Sequence, residues 1–119
     1  MLAITEATAG DVTILRLAGR LVIEDGDTPL GSTIDTLLAQ DRVKLVLDLR
    51  QVTYIDSAGL GLLVSRYVRA RRRGGDLRLV QLSARSSHLF AITNLTAVFG
   101  VFESEAAAVE SYAAPAEAL

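Results

Sequence analysis

A chain of 119 residues, half of them apolar and with a formal charge of -2, suits one domain with a core of ordinary size. No uncharged run approaches the roughly 18 residues of a membrane span. The acidic balance argues against nucleic acid as the main partner, because phosphate neutralisation rewards a basic protein.

With no cysteine and a single histidine, disulfides, thiolate chemistry and Cys-ligated zinc are excluded, and neither a metal nor a cofactor site is expected. The start MLAITEATAG has no basic residue and no long apolar stretch. It resembles neither a secretory signal nor a transit peptide, and cytoplasmic residence is the expectation.

In chain order, "DVTILRLAG" alternates after the turn signal Ala9, Gly10, Asp11 and reads as the second arm of a hairpin begun near Ala3 to Ala7. Thr28 and Pro29 stand as N-cap and first residue of a helix whose stripe is Leu30, Ile34, Leu37 and Leu38. "VKLVLDL", 43 to 49, has the near-continuous apolar character of a central strand. A short connection, "RQVTYI", follows it. From Leu60 the spacing 60, 63, 64, 67, 68 marks a long helix that ends at Gly74 and Gly75. "DLRLVQL", 76 to 82, is a strand. A weaker helix carries Leu89, Phe90 and Ile92, a short strand spans Val98 to Phe102, and Ser104 opens an alanine-rich helix with Val109 and Tyr112 on its apolar side.

Strands alternating with helices call for right-handed crossovers, so the expected fold is α/β with a mostly parallel sheet made mixed by the hairpin. The domain is expected to occupy residues 1–114, with 115–119 as a flexible tail.

"YIDSAGLGLL", 54 to 63, carries the question of function. Ser57 follows a strand and stands at the first turn of the long helix, where free amides and the macrodipole favour an added phosphate. Asp56 and Ser57 are also good caps, so Ser57 can be a cap, a nucleophile or a phosphate acceptor. Gly59 and Gly61 each cost about 0.8 to 1 kcal/mol against alanine in a helix interior, and a pure cap does not need them. Leu60, Leu62 and Leu63 cannot all face one side of a helix, so either one of them lies at the surface beside Ser57 as part of a docking face, or all three are core.

The segment "DSAGLG", Asp56 to Gly61, resembles the D-S-[SAG]-G-[LI]-G signature of the anti-sigma factor antagonists, whose fold is the STAS domain. "LAGRL", "LVLDL", "RRRGGDLRLV" and "LFAITNLTAVFGVFESEAAAV" support the resemblance over nearly the whole chain. It implies a single STAS domain of about five strands and four helices. It also implies phosphorylation of Ser57 by a partner that is both anti-sigma factor and serine kinase, and restoration by a serine phosphatase. The unmodified form would bind the anti-sigma factor and free a sigma factor; the phosphorylated form would let go. The binding surface implied is Asp56, Ser57, Ala58, Gly59, Leu60 and Gly61. The family often carries an aspartate after G-x-[LI], where this chain has Val22; Glu24, Asp25 and Asp27 are the carboxylates that would restore an acidic neighbourhood.

An alternative is a STAS scaffold or subunit of a signalling or lipid-transport complex without reversible phosphorylation. A hydrolase lacks the G-x-S-x-G elbow, and only His88 offers a base, a residue that reads as surface or capping. No G-x-x-x-x-G-K-[ST] loop is present, so ATP would enter with a kinase. Arginines 66, 69, 71, 72 and 73 read as cations complementing the negative end of their helix. Asp48 and Asp56 alone define no metal site, and the oligomeric state stays open.

Overall fold

The computed structural model describes residues 2–23 and 29–113. Thr28, expected as a cap, the carboxylates Glu24, Asp25 and Asp27, and the expected tail lie outside the described residues. The chain opens with an antiparallel pair, β1 (Leu2–Ala9) and β2 (Val12–Leu21), joined at Gly10. There follow α1 (Pro29–Ala39), β3 (Lys44–Ile55), α2 (Ser57–Arg72), β4 (Asp76–Val80), α3 (Ala84–Ile92), β5 (Val101–Phe102) and α4 (Glu105–Ala113). The sheet runs in the order β1-β2-β3-β4-β5, with every pair after the first parallel. The mixed α/β architecture is the one the alternation of periods implied.

Alternation along the strands sorts the apolar residues onto two faces. Leu15, Leu17, Leu45, Leu47, Leu77 and Leu79 share a core cluster with Leu30, Ile34, Leu37 and Leu38 of α1, Leu60 and Leu63 of α2, and Phe90 of α3. On the opposite face Val12, Ile14, Val46 and Val80 meet Ala108, with Val109 and Tyr112 of α4 packed against them. Tyr112 also ties α4 to the start of β3: its hydroxyl accepts from the Leu45 amide at 3.1 Å and donates to the Leu45 carbonyl at 2.8 Å. At the other end of α4 Arg16 makes two hydrogen bonds to Glu105, at 2.8 and 2.9 Å, and Arg50 closes on the buried Asp48 at 2.6 Å.

Four sequence expectations change. The connection "RQVTYI" is strand: Val52 and Ile55 bury into the helical face, and β2 accompanies β3 to Ile55 through register shifts between Arg16 and Ala18 and between Gly19 and Arg20. The strand expected to 82 stops at Val80, because Gln81 takes φ +44° and turns the chain out. The strand expected from Val98 begins at Val101, since Leu95–Ala97 is a 3-10 turn and Phe99 packs on Phe90 and Tyr67 with ring centroids 5.6 and 5.1 Å away. Val68, placed on the apolar stripe of the long helix, points outward and is 38% exposed.

Because β4 pairs with β3 only from Lys44 to Asp48, the second half of β3 runs on with β2 alone. That two-stranded extension carries the start of α2 beyond the end of β4.

Candidate functional site

The end of β2 holds the start of α2 at two points. The Asp56 amide donates to the Leu21 carbonyl at 3.2 Å, and a β-carbon at Gly59 would strike that same carbonyl oxygen. Gly59 is therefore fixed by close approach of backbone, a role only glycine fills without displacement. Asp56, with φ -87° and ψ 175°, is the N-cap: its carboxylate accepts from the Gly59 amide at 2.6 Å, and its carbonyl accepts from the Leu60 amide at 2.9 Å. The helix start thus has its cap without calling on Ser57.

Ser57 is the first residue of α2. It is exposed, and its hydroxyl has no hydrogen-bond partner among the described residues. Nor do the amides of Ser57 and Ala58, which are left as free donors at the positive end of the helix. One turn on, Gly61 is exposed and a β-carbon there would meet nothing within 4 Å, so Ser57, Ala58 and Gly61 form a low, open surface.

Of the six residues from Asp56 to Gly61, Gly59 and Leu60 are buried and support this surface from beneath. The leucine question resolves largely toward core: Leu60 and Leu63 are buried, and Leu62 is half-buried against the same cluster. The exposed apolar group near Ser57 is Ile92.

Ile92 belongs to a shallow cleft between the start of α2 and the outer side of α3, lined also by Tyr54, Asp56, Ser57, Arg85 and His88. Arg85 and Arg20 both lie over the Tyr54 ring, their guanidinium carbons 5.3 and 5.2 Å from its centroid. Sequence reasoning did not group these side chains with Ser57; Glu24, Asp25 and Asp27, expected to make the neighbourhood acidic, lie outside the described residues. The signal available was topological. β3 and β4 are parallel neighbours, so the turns that leave them begin adjacent helices, and clefts in such sheets form at the carboxyl ends of strands. Ser83 then caps α3, accepting from the Ser86 amide at 3.1 Å, and sets Arg85 and His88 one helical turn apart.

Ser57 and His88 share the cleft, yet no hydrogen bond joins them and His88 has no orienting carboxylate among the described residues. A nucleophile–base pair of the kind ester hydrolysis uses is not assembled. The described residues hold no group of three metal-ligating side chains. No helix among them is long and apolar enough to cross a membrane.

Comparison with known proteins agrees with this fold. The anti-sigma-B factor antagonist of Bacillus subtilis is 38% identical over 64 residues, which cover 54% of this chain and 59% of that protein. The match therefore spans less than two thirds of that relative's length. Among solved structures, an anti-sigma factor antagonist from Mycobacterium paratuberculosis superimposes with a TM-score of 0.79 at 20% identity over 93% of each chain. The Bacillus cell fate determinant SpoIIAA in its phosphorylated form gives 0.73 at 19% identity, over 92% of this chain and 99% of that one. At such identities the likeness establishes the fold. The model of the STAS domain matches residues 3–108, and with the sheet order, the capped helix start and these relatives it leads to one conclusion: the chain belongs to the STAS domain family.

Proposed function

We propose that this chain is an anti-sigma factor antagonist: a protein-binding module whose docking face, around Ser57, Ala58, Gly61 and the edge of Asp56, is switched by phosphorylation of Ser57. The observation that carries the reading is the division of labour between neighbours. Asp56 satisfies the helix cap, so the adjacent hydroxyl is exposed and, among the described residues, has no partner, nor do the two amides beside it. The relatives named as anti-sigma factor antagonists, and the phosphorylated form in which one structural neighbour exists, support it.

The partner is an anti-sigma factor that is also a serine kinase. In its active site the Ser57 oxygen bonds to the γ-phosphorus of ATP, ADP leaves, and the hydroxyl proton passes to the kinase's base. A serine phosphatase reverses the change with water: the water oxygen bonds to phosphorus, and Ser57 departs as its hydroxyl.

The modification adds about -1.5 to -2 charges at neutral pH. Placed within an interface shaped for an uncharged hydroxyl, such a charge costs several kcal/mol when it meets like charge or loses water, and each 1.4 kcal/mol is tenfold in affinity. The acceptor sits at a helix terminus that tolerates anions, so release requires no unfolding. Incubating the chain with anti-sigma serine kinases and ATP tests the reading. A mass gain of about 80 daltons is expected, absent from Ser57→Ala. Gain at another residue, or stable association with a multisubunit assembly and no gain with any kinase, contradicts it.

A further inference from the structure

We propose that Arg85, assisted by His88, is a receptor within this same chain for a phosphate carried on Ser57, making the cleft between α2 and α3 a phosphomonoester site. The inference rests on Ser57 being the phosphorylated residue. It begins from the arginines. Arg16, Arg50, Arg66, Arg69, Arg71, Arg73 and Arg78 all meet a carboxylate. Among the described residues Arg20, Arg42, Arg72 and Arg85 do not, and Arg42 is engaged by Thr13.

Two of these four, Arg20 and Arg85, converge on the single ring of Tyr54, two residues before Asp56. Two like charges drawn to one ring repel each other, and an anion placed beside them is attracted to both. The carboxylate nearest in the cleft, Asp56, already accepts the Gly59 amide. The anion for which the cleft has room is one attached at Ser57, which lines it together with Arg85 and His88.

A phosphoserine dianion offers acceptor oxygens to a guanidinium fork, to the imidazole and to the free amides of Ser57 and Ala58 together. Arg85 is exposed at the outer side of α3, and an exposed cation–π contact is weaker than a charge-assisted bond to phosphate, so the guanidinium is free to leave the ring. The modification then rewrites the surface twice, by adding a charge at Ser57 and by withdrawing Arg85 from Tyr54.

Installing phosphoserine at position 57 during translation tests this without any kinase. The second ionisation of the phosphate, about 6 in the free amino acid, is followed by phosphorus NMR in the otherwise unaltered chain and in Arg85→Ala, Arg85→Lys and His88→Ala. Among the described residues the charged and titratable groups that line the cleft are Asp56, Arg85, His88 and Tyr54, with Arg20 over the Tyr54 ring. The expected result is a phosphate pKa at least about half a unit higher in Arg85→Ala than in the unaltered chain, with Arg85→Lys recovering most of the difference and His88→Ala shifting it less, as neighbouring cations favour the dianion.

The phosphorylated chain is also expected to melt higher than the phosphorylated Arg85→Ala chain by more than the two unmodified chains differ. Equal phosphate pKa values with and without Arg85 overturn the proposal, as does a finding that Arg85 matters only for partner binding by the unmodified chain. Because no kinase is used, failure here leaves the switch at Ser57 standing, and failure of every kinase to modify Ser57 leaves this result standing.

Discussion

At the scale of single residues, "DSAGLG" divides into groups that build the helix start and groups that it presents. Asp56 and Gly59 build: one accepts the orphan amide, the other lets the Leu21 carbonyl approach. Ser57, Ala58 and Gly61 are presented. The two glycines should therefore respond oppositely to the same substitution. Gly59→Ala forces a methyl group against backbone and is expected to destabilise by about 1 to 3 kcal/mol, the range for overpacking. Gly61→Ala meets open space and is expected to stabilise by up to about 1 kcal/mol through helix propensity, while roughening the proposed docking face and weakening partner binding. Denaturant titration of both variants, with partner affinity of the second, checks this. A Gly61→Ala protein that binds normally removes that glycine from the docking surface.

At the scale of elements, what was legible followed from period and what was missed followed from context. The stripe Leu30, Ile34, Leu37 and Leu38 is buried as its 3.6-residue spacing required. "RQVTYI" carries charge and amide side chains that resemble a loop, yet β2 runs beside it and supplies the ladder, so tertiary pairing overrides local composition. Ile92, the last residue of a nine-residue helix, is exposed and lines the cleft.

The last helix shows how a short element is held. α4 buries little beyond Ala108, and Tyr112 fixes its far end by bonding both the amide and the carbonyl of Leu45. Burial and the nearby Asp76 push the Tyr112 phenol well above its ordinary value, so the hydroxyl stays protonated and keeps donating. Tyr112→Phe keeps the ring and loses both bonds, and is expected to cost about 1 to 2 kcal/mol with faster amide exchange along α4. Unchanged exchange there would mean that packing alone holds the helix.

At the scale of the whole molecule, the sheet order and the crossovers decide where the site is. Alternating strand and helix patterns made the α/β class and the place of Ser57 readable, because a strand followed by a short turn and a helix puts that turn at the carboxyl edge of a parallel sheet. Arg85 was unreadable as a neighbour, since its proximity depends on β3 and β4 lying side by side and on Ser83 setting the phase of α3. The far face carries the charges that couple folding to pH. Burial pushes the Asp48 carboxyl up, but hydrogen bonds from the Arg50 guanidinium and amide outweigh it and hold the group below its ordinary value. A carboxyl depressed in the folded state contributes stability that is fully present above its unfolded value, about 3.9, and is lost as pH falls through the lower folded value. Denaturation midpoints should accordingly fall below about pH 4, with a shallower fall in Asp48→Asn; an identical acid slope in that variant would assign the loss to other groups. None of this touches Ser57, so the proposed modification and the acid response are expected to be independent.

The most direct measurement is calorimetric titration of the proposed partner, an anti-sigma serine kinase, with two forms of this chain, unmodified and carrying phosphoserine at 57. The expected result is binding by the unmodified form and an affinity at least about tenfold lower, roughly 1.4 kcal/mol, for the phosphorylated form with its circular dichroism unchanged. Equal affinities for the two forms would contradict a switch at this hydroxyl.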